Sequence, residues 1–250
     1  KTMNIKINIL SFLLLFSFIM TAQNEYYELR TYIIPYNAAE KGLHNYLSKS
    51  LLPALNRQGV KNIGVFETIG QPTPKELVLL IPYNDIATYG KVLKGLTKDN
   101  VFQENKVGYD AITFSRPAYT RFTSSFYFAF DGLPKLIVPE KGSQLFELRT
   151  YEGYSEDAVQ RKTNMFNDGE LTIFEDTGLH SVFFGSQVSG PLMPALTYML
   201  AFKDMEERNR NWNKFSIHPE WKRISILPEY ANTVSDIKRI FLKPLSYSQL

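Results

Sequence analysis

The chain has 250 residues and is 44% hydrophobic, enough to bury a core as one large domain or as two packed halves, and its 15 Tyr and 18 Phe favour strands and an aromatic-lined pocket. It has no cysteine, which excludes disulfides, thiolate metal sites, covalent haem attachment and a lipidated N-terminal Cys. The formal net charge of +3 falls to 3 − 2 = +1 without Lys1 and Lys6, so overall charge implies no polyanion partner.

Lys6 near Met3, the apolar run 9–20 and the small residue in Thr21-Ala22-Gln23 read as a secretory signal peptide over residues 1–22. The run is shorter than the roughly 20 residues that cross a bilayer. No stable membrane span is expected after cleavage, and the mature protein is expected to be exported, either periplasmic or secreted.

Residues 26–34 set Glu28, Arg30 and Tyr32 on one side against Tyr27, Leu29 and Thr31 on the other, the two-residue period of a strand. Over 38–56, Leu43, Leu47, Leu51 and Leu55 recur at every fourth position, predicting a helix whose last turn Pro53 kinks and Gly59 stops. Strands are predicted at 63–68 and at 76–81, the latter apolar enough to be covered on both faces. Asp85 is placed to cap a second helix with a buried stripe of Ile86, Tyr89, Leu93 and Leu96, followed by Phe102. A closing strand at 118–123 completes the ferredoxin-like order, with helices on one sheet face and the other face in need of a partner.

Residues 124–143 carry Asp131-Gly132, Pro134, Pro139 and Gly142, marking a linker. Their aromatic cluster Phe126, Tyr127, Phe128 and Phe130 suggests a strap lying against the body. The chain then writes Phe146-Glu147-Leu148-Arg149-Thr150-Tyr151 after Tyr27-Glu28-Leu29-Arg30-Thr31-Tyr32, an offset of 147 − 28 = 119. The same offset lays Gly178 on Gly59, Asp204 on Asp85, Met205 on Ile86, Trp212 on Leu93, Phe215 on Leu96 and Trp221 on Phe102. A helical face at Ala158, Met165, Phe166, Gly169 and Ile173 and strands at 181–186, 196–202 and 237–242 fill the second half. The expected fold is α+β: two tandem ferredoxin-like repeats, residues 23–123 and 144–250, packed as a pseudo-twofold dimeric α/β barrel.

With the repeat drawn, the chain resembles the NIPSNAP family of the dimeric α/β-barrel superfamily. The resemblance rests on the two Glu-Leu-Arg-Thr-Tyr copies, on the segment from Leu196 to Met205, and on His218-Pro219-Glu220-Trp221, where the family usually places an Asp at the His position. The first half departs further, with Asp99-Asn100-Val101-Phe102 in that place. The resemblance implies a binding or adaptor-type protein. Other families on such barrels include cofactor-free monooxygenases and haem-degrading enzymes, but a fold does not transfer a reaction.

The candidate site residues are Glu28, Arg30, Tyr32, Glu147, Arg149, Tyr151 and His218. If the Glu-Arg-Tyr face lines the barrel, four charges gather in a sheltered site, either as a structural ion-pair network or as anchors for a ligand. His218, standing in for an acid, either caps a helix or approaches a haem or an oxyanion. His44, His180 and His218 lack metal-helix spacing, so no metal site is expected. Trp212 and Trp221 read as core, and the basic run at Lys222 and Arg223 as a wet face, with no nucleic-acid partner expected. No phosphate loop or nucleophile elbow occurs.

The leading expectation is a non-enzymatic protein that holds a small, partly apolar ligand in the barrel cavity, with no cofactor. The alternatives are a cofactor-independent monooxygenase or haem-handling enzyme, and a protein interaction module that uses its outer helices. Homo-oligomerisation is in keeping with the superfamily.

Overall fold

The two-residue alternation at the start of the chain builds β1 (Tyr26–Ile34), the first strand of a computed structural model that describes residues 23–70 and 74–250. The expected signal peptide lies outside the described residues. After β1 come α1 (Glu40–Tyr46) and α2 (Leu52–Arg57), joined by a π-helical turn, Leu47–Leu51. Pro53 sits in the first turn of α2 directly after that π turn, where a missing N–H is tolerated. Then follow β2 (Gly64–Thr68), β3 (Lys75–Tyr83), α3 (Ile86–Lys98), the short α4 (Asn100–Asn105) and α5 (Val107–Asp110), and β4 (Arg121–Ala129).

The second half repeats the plan: β5 (Leu145–Glu152), α6 (Glu156–Met165), a second π turn at Phe166–Glu170, and α7 (Leu171–Thr177). It continues through β6 (His180–Ser189), β7 (Ala195–Phe202), α8 (Met205–Ile217), α9 (Pro219–Ile224) and β8 (Asp236–Pro244). The offset of 119 holds to the residue for the π turns (166 − 47), for α3 and α8 (205 − 86), and for α4 and α9 (219 − 100). It is lost after α4 and α9, before the closing strands: α5 has no α-helical counterpart 119 residues on. Ser124 faces Arg30 while Arg239 faces Arg149, so the offset there is 239 − 124 = 115, and the second half is shorter by 119 − 115 = 4 residues before its last strand.

The eight strands close an antiparallel barrel in the order β1-β3-β2-β8-β5-β7-β6-β4. Cut at the β2–β8 and β4–β6 pairings, each half contributes the same sheet order, β4-β1-β3-β2 and β8-β5-β7-β6. The halves therefore join edge to edge as well as face to face, which leaves no open sheet edge. Inside the barrel, Tyr27, Phe66 and Leu80 meet Phe146, Phe183 and Met199, all fully buried. Ring centroids lie 4.7 Å apart for Phe66–Phe146 and 5.1 Å for Tyr27–Phe183. The interior expected to hold a ligand is thus a packed core.

The outer face of each sheet lies under its own helices. Tyr32, Leu79 and Ile81 pack on Leu43, Leu47 and Leu55 in the first half, and Tyr151, Phe184 and Tyr198 on Phe166, Phe174 and Phe215 in the second. Two expectations change here. β4 runs on to Ala129, so Phe126, Tyr127 and Phe128 are strand residues paired with β1 and β6, and the strap begins at Phe130. On α3 the fully buried residue is Val92, whereas Ile86 and Leu93 are 49% and 43% exposed, because the helix turns Val92, Tyr89 and Leu96 toward the sheet.

Candidate functional site

Tyr27 and Leu29 point into the barrel, so Glu28, Arg30 and Tyr32 point the other way, into the layer between sheet and helices; Glu147, Arg149 and Tyr151 do the same in the second half. The expectation that four charges gather in the barrel is therefore corrected. The strand period is as read, but the face is the outer one, and the two sets form separate constellations on opposite sides of the barrel.

Glu28 is buried and fully partnered. Arg30 reaches its Oε1 with Nε and Nη2, both at 2.8 Å, Ser124 Oγ donates to the same oxygen at 2.8 Å, and Tyr83 OH donates to Oε2 at 3.2 Å. Burial works against the charged Arg30 guanidinium, but the Glu28 carboxylate and the Tyr32 hydroxyl together outweigh it and the Arg30 pKa rises above its ordinary value.

Glu147 is held from a different element. Asp204 starts α8 by accepting the Glu207 N–H at 2.8 Å, and α8 then aims Arg208 and Trp212 at the sheet. Arg208 binds Glu147 with two parallel bonds, Nε to Oε2 at 2.8 Å and Nη2 to Oε1 at 2.9 Å, and Trp212 Nε1 donates to Oε2 at 2.9 Å. Arg149 adds a bond to Oε1 at 3.1 Å and lies 4.5 Å over the Trp212 ring. Burial pushes the Glu147 carboxyl up, yet the bonds and charges of Arg208, Trp212 and Arg149 prevail and hold it below its ordinary value. Arg149 Nε is buried without a partner.

A third polar pair escaped the sequence reading. Lys162 Nζ lies 2.6 Å from Glu170 Oε2, with both residues buried, and 4.5 Å from the centre of the Phe166 ring. In a regular helix, residues eight apart diverge by about 80°. The π turn inserts one residue, so eight residues span nearly the same arc as seven and the two groups face each other. Burial pushes the Glu170 carboxyl up, and Lys162 offsets part of this. Above the pair, the Tyr151 and Tyr198 hydroxyls are 2.9 Å apart, and burial raises the pKa of both. The signal was available in the repeat: Lys162 and Glu170 fall on Leu43 and Leu51 (162 − 43 = 170 − 51 = 119), two core leucines of the first half.

His218 joins neither constellation. It caps α9, its Nδ1 accepting the Glu220 N–H at 3.3 Å, as Asp99 one repeat earlier (218 − 119 = 99) caps α4 by accepting the Phe102 N–H at 2.9 Å. Its other nitrogen lies 3.9 Å from Asp176. Among the described residues, no group of three or more His, Cys, Asp or Glu is placed to hold a metal ion.

Open space lies elsewhere. A cleft of about 450 Å³ sits between the strap, α7, the start of β6 and the end of β7. Leu133, Leu171, Phe174, Leu179 and Phe202 give it an apolar floor, and Lys141, His180, Lys203 and Glu207 stand among its polar residues. The strap is pinned on one side by Gly132 N to Asn167 Oδ1 at 2.9 Å and Ile137 N to Val182 O at 2.9 Å, and on the other by Gln144 N to Phe202 O at 3.0 Å. Between these anchors it arches over the cleft, turning at Gly142, whose φ of +101° suits a glycine. Phe174 touches both regions: it lines the cleft and packs on Tyr198, Trp212 and Phe215.

A closed eight-stranded antiparallel barrel with helices outside is the architecture of the dimeric α/β-barrel proteins, and the solved structures agree. A proposed monooxygenase of Fusobacterium nucleatum superposes with a TM-score of 0.60 over 90% of this chain and 94% of its own, at 12% identity. A second proposed monooxygenase, from Lactobacillus acidophilus, gives 0.57 over 89% and 94% at 9% identity. At such identities the likeness is one of fold. Residues 146–249, most of the second half of the chain, match the NIPSNAP family model. A NIPSNAP-like protein of Burkholderia xenovorans is 19% identical over 43% of this chain and 90% of its own, with a TM-score of 0.39. No curated protein matches the sequence.

Proposed function

We propose that this is an exported binding protein, built from two tandem ferredoxin-like repeats, that holds a small, partly apolar molecule in the cleft beneath the strap. The cleft carries the reading. It has the volume of a small-molecule site, an apolar floor and a few polar groups, whereas the barrel interior is filled by side chains. The Glu147 constellation backs the floor through the contact of Trp212 with Phe174, the Glu28 constellation lies on the far side of the barrel, and the Glu147 carboxylate, already fully bonded, is not a ligand contact. Export is favoured by the apolar run at 9–20 and the small residue Ala22, and a mature N-terminus near Gln23 tests that part. The repeat reading is supported by the shared offset and by the matching strand order of the halves. The fold neighbours lend no reaction.

Native mass spectrometry of the purified protein tests the site. A small-molecule adduct released on denaturation is expected, and Thr172→Trp and Ser181→Trp, which fill the cleft from α7 and β6, should each abolish it with melting unchanged. An adduct that survives both substitutions overturns the assignment. So does a protein that carries no adduct and fails to enhance anilinonaphthalene sulfonate fluorescence.

A further inference from the structure

The two matching helices α3 and α8 differ in charge in a way the barrel does not require. Between Ile86 and Lys98 there is no acidic residue, while Lys91, Lys94 and Lys98 are all exposed. Among the described residues none of the three forms an ion pair. The two acids that bound the helix are already engaged: Asp85 accepts the Thr88 N–H at 2.7 Å, and Asp99 accepts the Phe102 N–H and pairs with Arg57 at 2.8 Å. In α8, by contrast, Glu206 and Glu207 accompany the bases, and Arg208 and Arg210 are paired with Glu147 and Glu206.

The apolar residues of α3 complete the pattern. With Val92 facing the sheet, rotation by about 100° per residue sets Ile86 and Leu93 on one strip of the outer face, with Gly90 beside them and Lys94, Lys98 and Lys91 next around the helix. Ile86 and Leu93 are about half exposed, and a side chain built at Gly90 would meet nothing within 4 Å. Val101, in the short helix α4 that follows, is 49% exposed as well. A strip of branched aliphatics beside a lysine ridge matches the boundary between headgroups and acyl chains at a lipid surface. A phosphodiester backbone would engage the lysines but leave Ile86 and Leu93 in water.

We infer that α3 is a peripheral docking surface for an anionic lipid membrane, with Lys91, Lys94 and Lys98 on the headgroups and Ile86 and Leu93 at the acyl boundary. The contribution of a lysine near an anionic surface corresponds to about a fivefold change in affinity, and three together to about a hundredfold. The test is cosedimentation of the full protein with phosphatidylcholine vesicles and with vesicles of phosphatidylcholine and phosphatidylglycerol in equal parts. Binding to the mixed vesicles only, released by high salt, is expected. The triple variant Lys91→Gln, Lys94→Gln, Lys98→Gln should weaken it about a hundredfold, whereas Arg210→Gln with Lys214→Gln on α8 should leave it unchanged. Because these side chains are exposed, circular dichroism and melting should match the parent. No binding to the mixed vesicles, or equal binding by the triple variant, overturns the inference. Capture by poly-glutamate where vesicles fail would also overturn it and make the ridge a site for an acidic polypeptide.

Discussion

Lys162 and Glu170 occupy positions that the first half gives to Leu43 and Leu51, so the chain holds both solutions to one packing problem. A buried ion pair gains little over well-packed leucines, but breaking it strands a charge in an aromatic box. Lys162→Leu or Glu170→Leu alone is therefore expected to cost about 3–5 kcal/mol, and the double change to leave stability close to the parent. Urea denaturation of the three variants checks this. Single losses that add up in the double variant would mean the pair is not coupled. Residue chemistry was only partly legible in the sequence. The strand period correctly put Glu28, Arg30 and Tyr32 on one face, but a face of an all-round buried strand cannot be assigned to barrel or helix side from one strand alone. Leu29 and Tyr32, on opposite faces, are both buried, so periodicity gives no preference.

At the level of elements, caps carried more information than hydrophobic stripes. Asp85 and Asp204 each start a 13-residue helix one position later, because an extended Asp that accepts an N–H three residues on leaves little choice of register. The stripe on α3 misled, since a half-exposed Ile or Leu is common on a helix surface. At Asp204 the cap is doubled, with Glu207 accepting the Lys203 N–H at 2.7 Å. Asp204→Ala is expected to cost about 1 kcal/mol and to speed amide exchange in the first turn of α8 more than elsewhere. The consequence reaches the sheet, because that turn leads into Arg208 and Trp212, which hold Glu147. Uniform exchange along α8 in the variant would show that the helix start is fixed by packing and not by its cap.

For the molecule as a whole, the likeness of the two halves was readable because one offset ties a strand, a cap and a helix core together, and closure followed from two uncovered sheet faces. Where ligand space would lie was not readable. Whether a barrel of this strand number is hollow depends on side-chain volume summed across both halves, and here Tyr27, Phe66, Phe146, Phe183 and Met199 fill it. That shared interior also sets what a half can do alone. Residues 144–250 by themselves would expose the edges of β8 and β6, which β2 and β4 now cover, together with the inner face that carries Phe146, Leu148, Phe183 and Met199. A second copy of the same segment presents the same two edges and an apolar face, so a twofold pair can close the barrel that the tandem chain closes within itself. The isolated segment is expected to be a dimer by light scattering, with secondary structure retained in far-ultraviolet circular dichroism and melting that rises with concentration. A folded monomer whose melting is independent of concentration would mean that each sheet can bear its inner face in water, and the edge pairings between halves would then not be what holds this protein together.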